Sequence, residues 1–196
     1  MNLLNQLSCI NFSWKTHLVN YEIKKKNIIF IFLDNNKIIL KNFINLSKNE
    51  KERIRRYRNH YDVKKYFYHT TYIKKYEHRN FINKLKKNTQ KQYFYIKYNK
   101  TILGSIYFNQ HDNNSLSFGF YSNPFCSISG LGRVLENFAI FYGFYIKKCE
   151  ILYLEAFKEN QQVINLHKKF GFKELQNSDE KIIKMELNIK EYHERN

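Results

Sequence analysis

Ser127-Ile128-Ser129-Gly130-Leu131-Gly132-Arg133 stands between a strand-like run and a long helical apolar repeat. Downstream, Leu166-His167-Lys168-Lys169-Phe170-Gly171-Phe172 closes a second helix that opens after Asn160. The two glycines of the first stretch let the backbone turn its N–H groups toward one point, and the helix N-terminus adds about half a positive charge. That combination makes a pyrophosphate cradle. A plain flexible strand-to-helix connection has the same spacing, so the G-x-G alone leaves both readings open.

Working outward, the alternation predicts strands at residues 92–97 and 102–109 around an Asn99-Lys100 turn, and a third at 115–121 after His111-Asp112-Asn113-Asn114. This is an antiparallel meander. Leu131, Val134, Leu135, Phe138, Ala139, Phe141, Tyr142 and Tyr145 repeat as one helix over residues 130–147. Residues 150–157 then read as a strand and 160–170 as a helix capped by Gly171, followed by strands at 172–175 and 181–189. Upstream, residues 38–44 read as a strand. Ser47 and Glu50 have capping-box spacing for a helix through Arg58, and residues 61–88 give two short helices around His69-Thr70-Thr71. Before them, residues 28–33 form an apolar strand between Lys24-Lys25-Lys26 and Asp34-Asn35-Asn36. The expected organisation is an N-terminal extension over residues 1–36 that adds one strand, an α/β domain over 37–190 and a tail over 191–196.

The pairing of the glycine turn with the later Asn160, Leu166, Lys169, Gly171 and Phe172 resembles the GCN5-related N-acetyltransferase (GNAT) superfamily. There the loop after the fourth strand reads Gln/Arg-x-x-Gly-x-Gly/Ala, matched by Ser127, Gly130 and Gly132, with Ser127 departing from the usual Gln or Arg. The tyrosine of the later signature is held by His167. The resemblance implies a central mixed, mostly antiparallel sheet splayed between its fourth strand (residues 115–121) and fifth (150–157), with helices on both faces. It also implies acetyl-CoA as cosubstrate, no metal, and direct acetyl transfer to an amine.

By the same resemblance, Phe120, Tyr121, Ser127, Ser129, Gly130, Leu131, Gly132, Arg133 and Asn160 bind the cofactor. Glu155, twelve residues before His167, takes the place of the base, and His167 that of the acid protonating the thiolate. An imidazole with a pKa near ~6.5 is partly cationic at neutral pH. The structural alternatives stand beside these roles: a salt-bridged strand carboxylate for Glu155, a helix-surface residue for His167, an N-cap for Asn160 and solvated surface for Arg133. Arg58-Asn59-His60, Thr71-Tyr72-Ile73, His78-Arg79-Asn80-Phe81 and residues 120–125 resemble a GNAT branch acting on UDP-4-amino-4,6-dideoxy-N-acetyl-hexosamines in nonulosonic (pseudaminic or legionaminic) acid biosynthesis. That places Arg58, Thr71 and His78 by the sugar nucleotide. A helix-end charge, a cap and an exposed helical residue are their structural alternatives.

Length and composition fit this reading. A chain of 196 residues with 43% apolar and 17% aromatic residues suits one domain with ample core material. The net charge of +17 points to an anionic partner, which the phosphates of acetyl-CoA and a UDP-aminosugar satisfy without nucleic acid. Solvated lysine from an AT-rich genome gives the same excess. Cys9, Cys126 and Cys149 suit neither a disulfide framework nor a zinc site. With no secretory signal, and an apolar run at 28–33 far too short for a bilayer, the expectation is a cytoplasmic protein without a membrane partner. A homodimer stays open. Two rival functions are an acetyltransferase acting on protein N-termini and a basic nucleic-acid-binding module, the latter lacking an RNA-binding aromatic signature.

Overall fold

The computed structural model describes residues 2–176 and 178–195; Asn196 of the expected tail lies outside the described residues. In chain order the elements are α1 (Leu3–Leu7), α2 (Trp14–His17), β1 (Leu18–Lys24), β2 (Asn27–Phe32), β3 (Lys37–Asn42), α3 (Lys48–Asn59), α4 (Tyr61–Lys64), α5 (Lys75–Lys87), β4 (Lys91–Tyr98), β5 (Thr101–Gln110), β6 (Ser115–Ser122), α6 (Leu131–Phe141), β7 (Ile151–Phe157), α7 (Gln161–Lys169), β8 (Lys173–Leu175), β9 (Ile182–Asn188) and α8 (Ile189–Arg195). Among the described residues, hydrogen bonding orders nine strands as β1-β2-β3-β4-β5-β6-β7-β9-β8. Residues 14–107 with 120–129 form one compact unit, and residues 2–13, 108–119, 130–176 and 178–195 form another.

In the first unit, β1 through β4 make an antiparallel ladder. Where one strand was expected ahead of Lys37, there are two. Their connection is a two-residue hairpin turn, Lys25-Lys26, with φ of 50° and 65° and Lys24 registered with Asn27. Such turns normally carry Asn-Gly, so the lysine run hid this one. The Asn45 amide holds it by donating to the Lys25 carbonyl at 2.6 Å. β1 also lacks a buried face, with Val19 and Ile23 exposed, and therefore shows no alternation.

Ser47 caps α3 as expected. Its hydroxyl accepts from Glu50 N–H, and Glu50 accepts from Ser47 N–H at 2.7 Å. Lys41 at 2.8 Å and the Tyr95 hydroxyl at 2.6 Å also donate to Glu50. Burial disfavours its charge, but these donors outweigh burial and hold the carboxyl down at about 2. The core here joins Phe43, Leu46, Ile54, Tyr57, Ile82, Leu85, Tyr95 and Ile102.

In the second unit, α6 is apolar nearly all round and buries Leu131, Val134, Leu135 and the run from Phe138 to Phe141. The α-helix ends earlier than the apolar repeat does, because residues Tyr142–Ile146 loosen into a π turn. β7 pairs parallel with β6 and antiparallel with β9. The β6–β7 ladder registers Ser115, Leu116 and Ser117 with Ile151, Leu152 and Tyr153, and among the described residues it registers no pair beyond Ser117. α7 stops at Lys169, with Gly171 at φ +97° just beyond. At the other end of the chain, α1 buries Leu3, Leu4 and Leu7, a burial contributing about 1.5–3 kcal/mol per side chain. Among the described residues no helix is long and apolar enough to cross a membrane.

Candidate functional site

Gly130 is the N-cap of α6 and sits in the left-handed region at φ +78°, with no side chain capping the helix. Only a residue without Cβ takes that conformation at little cost. The first-turn N–H groups are thus not spent on a cap, and no acidic residue stands in that turn to repel an anion. An added Cβ at Gly130 would come within 2.9 Å of Ser8 Cβ, and one at Gly132 within 3.1 Å of Leu166 Cδ2. Gly132 therefore serves the close approach of α6 and α7. The residues present suit a diphosphate: bare main-chain donors at a positive helix end, with Arg133 two residues into the helix.

Asn160 caps α7, its side-chain oxygen accepting from Val163 N–H at 3.4 Å. Glu155 lies on the exposed side of β7, in register with Lys184 on β9 and 3.5 Å from its ammonium. His167, in the last turn of α7, is only 5% exposed, so it is not a surface residue. Its Nδ1 lies 2.9 Å from each carboxylate oxygen of Glu136, which is fully buried on α6. Rings of Phe118 and Phe172 meet the imidazole edge-on. A carboxylate oxygen accepts from Nδ1–H, which fixes the tautomer. Glu155 and His167 thus each have a separate charged neighbour, Lys184 and Glu136. Sequence reasoning missed Glu136. Its signal was the pair Glu136-Asn137, two polar residues inside an otherwise apolar run.

The first unit holds the residues expected by the sugar nucleotide. The Arg58 guanidinium stacks 3.5 Å from the Phe67 ring centroid, and Nη2 donates to the His69 carbonyl at 3.1 Å. Nη1 is buried with no hydrogen-bond partner among the described residues. Burial pulls the Arg58 pKa below its ordinary value, and the phenols of Tyr121, Tyr93 and Tyr107 are the groups that oppose that pull. Tyr93 stacks on Tyr107, and Phe67 meets Tyr121 edge-on. Burial pushes the Tyr93 phenol up to about 12 and raises that of Tyr121 as well. Tyr121, expected at the cofactor, therefore gathers here with Arg58; Phe120, Ser127 and Ser129 belong to the same unit.

Thr71 is exposed in the loop between α4 and α5. That loop is pinned at Ile73, whose N–H donates to Asn59 at 2.8 Å and whose carbonyl accepts from Arg55 at 2.6 Å and Asn59 at 2.9 Å. Arg55, also missed by sequence, is clamped in turn by both oxygens of Glu52. His78 is buried between Phe43 and Phe81, and burial, then Arg55, pushes its pKa down to about 4. Among the described residues no three His, Cys, Asp or Glu side chains gather as a metal site would.

Glycine turn, broken β6–β7 ladder and capped α7 define an acyltransferase fold, and the chain belongs to the acetyltransferase (GNAT) family, which matches residues 54–172. Among curated relatives it is similar to acetyltransferase PseH from two strains of Campylobacter jejuni. One is 36% identical over 135 residues, 69% of this chain and 84% of the relative, and the other 35% identical over the same length. The crystal structure of Campylobacter jejuni N-acetyltransferase PseH in complex with acetyl coenzyme A superposes with a TM-score of 0.66 at 30% identity, covering 78% of this chain and 99% of that one. A Vibrio cholerae spermidine N-acetyltransferase in complex with CoA and spermine shares the fold, with a TM-score of 0.70 at 20% identity over 80% of this chain and 98% of that one. The chain is an acetyl-CoA-dependent N-acetyltransferase.

Proposed function

We propose that this enzyme acetylates the 4-amino group of a UDP-4-amino-4,6-dideoxy-N-acetyl-hexosamine in the biosynthesis of pseudaminic acid, a nonulosonic acid that decorates flagellin. The observation that carries the reading is the buried, unpartnered Nη1 of Arg58 among Phe67, Tyr93, Tyr107 and Tyr121. An unspent cationic donor in an aromatic surround suits a sugar nucleotide, since it meets a phosphate or ring oxygen while the rings cover the apolar sugar and base faces. The 36% identity to PseH supports the same choice.

Bound acetyl-CoA supplies a thioester carbonyl open to attack by an amine. The N–H groups at Gly130–Arg133 hold its diphosphate, with Leu131 and Asn160 as further cofactor contacts. Glu155 takes a proton from the acceptor ammonium; its pairing with Lys184 is exposed and so weak in water. His167, fixed by Glu136 at Nδ1, holds at Nε2 the proton that the departing thiolate needs. Arg58 and Thr71 hold the acceptor. His78 supports it through the α5 face that packs on Phe43.

The test is a transfer assay in which purified protein and acetyl-CoA meet UDP-4-aminosugars of both C4-epimer series, spermidine and a ribosomal-protein N-terminal peptide. Mass spectrometry showing one acetyl group gained by a UDP-aminosugar supports the reading. Acetylation of the peptide or polyamine alone overturns it.

A further inference from the structure

We propose that residues 3–9 are a working part of the cofactor site, positioning the Arg133 guanidinium at the Gly130 turn for the diphosphate of acetyl-CoA. This rests on the reading of Gly130–Arg133 as the diphosphate cradle. The segment lies outside residues 54–172, which the family matches.

Three contacts tie it to the turn. Arg133 Nε donates to the Ser8 carbonyl at 2.5 Å. Asn137, one turn further along α6 and 1% exposed, donates through the same nitrogen to the Leu7 carbonyl at 2.8 Å and the Cys9 carbonyl at 3.0 Å. The space that a side chain at Gly130 would fill is bounded by Ser8 Cβ at 2.9 Å and Arg133 Nη2 at 3.0 Å. The glycine therefore leaves room for Ser8 and Arg133 together.

This arrangement orders the arginine before any ligand arrives. The bond to Ser8 engages Nε, so the guanidinium is held with its Nη2 corner beside the turn, where its remaining donors form a fork matched to phosphate oxygens. A long side chain fixed in advance loses less freedom when an anion binds. Leu3, Leu4 and Leu7 anchor the segment by burial, and Asn137 fixes the height at which Ser8 presents its carbonyl. Asn137 is thus a positioning residue that acts through Ser8 on Arg133.

The experiment titrates acetyl-CoA by calorimetry into the full chain, Asn137→Ala, Arg133→Ala, their double variant and a chain lacking residues 2–9. Thermal unfolding is followed in each. Arg133→Ala is expected to weaken acetyl-CoA about tenfold and Asn137→Ala several-fold, with the double variant no weaker than Arg133→Ala. The KM for acetyl-CoA rises while kcat and the aminosugar KM stay put, and affinity for S-acetyl-pantetheine, which lacks the diphosphate, does not move.

Wild-type affinity in Asn137→Ala, tighter binding there, or losses that multiply in the double variant overturn the proposal. If the shortened chain does not fold, Asn137→Ala decides. No heat from acetyl-CoA with the wild-type chain refutes the cofactor reading itself, whereas wild-type binding with an indifferent Asn137→Ala refutes only the role of the N-terminal segment.

Discussion

Glu136 presents both carboxylate oxygens at 2.9 Å to Nδ1 of His167, joining the helix that opens at the glycine turn to the helix that closes at Gly171. A carboxylate with no exposed surface persists only when a partner offsets its desolvation, and the imidazole is that partner. The pair therefore binds structure and chemistry together, and the two contributions separate by substitution.

Glu136→Gln keeps a side chain that can bond Nδ1 but removes the carboxylate that faces it. The expected result is a lower kcat, by about tenfold, with both KM values little changed. His167→Phe lowers kcat by about 10²-fold. It also costs roughly 3 kcal/mol of stability, because Glu136 is left buried without its partner. Pre-steady-state and steady-state rates against pH, beside a urea melt, check both.

Arg58→Lys tests the acceptor side. A lysine keeps the charge but cannot stack its head flat on Phe67 while donating to the His69 carbonyl. The aminosugar KM is expected to rise about tenfold with the acetyl-CoA KM unchanged. A kinetic matrix over both substrates checks the split; an effect on acetyl-CoA alone contradicts the assignment.

His78 gives a pH dependence of stability. Its folded pKa, about 4, lies below the unfolded value of about 6.5, so the unfolded chain binds the extra proton between those values. The resulting contribution is fully present above about pH 6.5 and is lost as pH falls toward 4, by up to about 3 kcal/mol. Urea melts across that window should show a slope that flattens in His78→Phe, which keeps an aromatic ring between Phe43 and Phe81.

Glu50 titrates lower. With its folded pKa near 2 against an unfolded value near 4.5, its stabilisation is complete above pH 4.5 and fades between there and pH 2. Glu50→Gln, which removes the carboxylate that Lys41, Tyr95 and Ser47 share, should lower the melting temperature at pH 7 by a few degrees and abolish this acid limb.

Elements with a local chemical signature were legible in the sequence. The Ser47–Glu50 box, the Asn99 turn at φ 53°, the Gly130 turn and the Gly171 cap all stand where their residue types place them. What escaped depends on neighbours distant in sequence. Glu136 and Asn137 break the apolar stripe of α6 inward, and His167 with the Leu7 and Cys9 carbonyls makes that tolerable. The π turn at Tyr142–Ile146 continues the same apolar repeat, so periodicity alone ran the helix through it. The Lys25-Lys26 hairpin lacks turn residues and is held by Asn45 from beyond the next strand. Of the candidate catalytic pair, Glu155 and His167 were named from sequence, but the burial of His167 and its fixation by Glu136 were not.

The most direct measurement is the affinity of the wild-type chain and of Gly130→Val for acetyl-CoA and for S-acetyl-pantetheine, taken side by side by calorimetry. If main-chain donors at the turn hold the diphosphate, the valine variant loses at least about tenfold in acetyl-CoA affinity, 1.4 kcal/mol, and none for acetyl-pantetheine. Equal binding of acetyl-CoA to both folded proteins would contradict the account at its root.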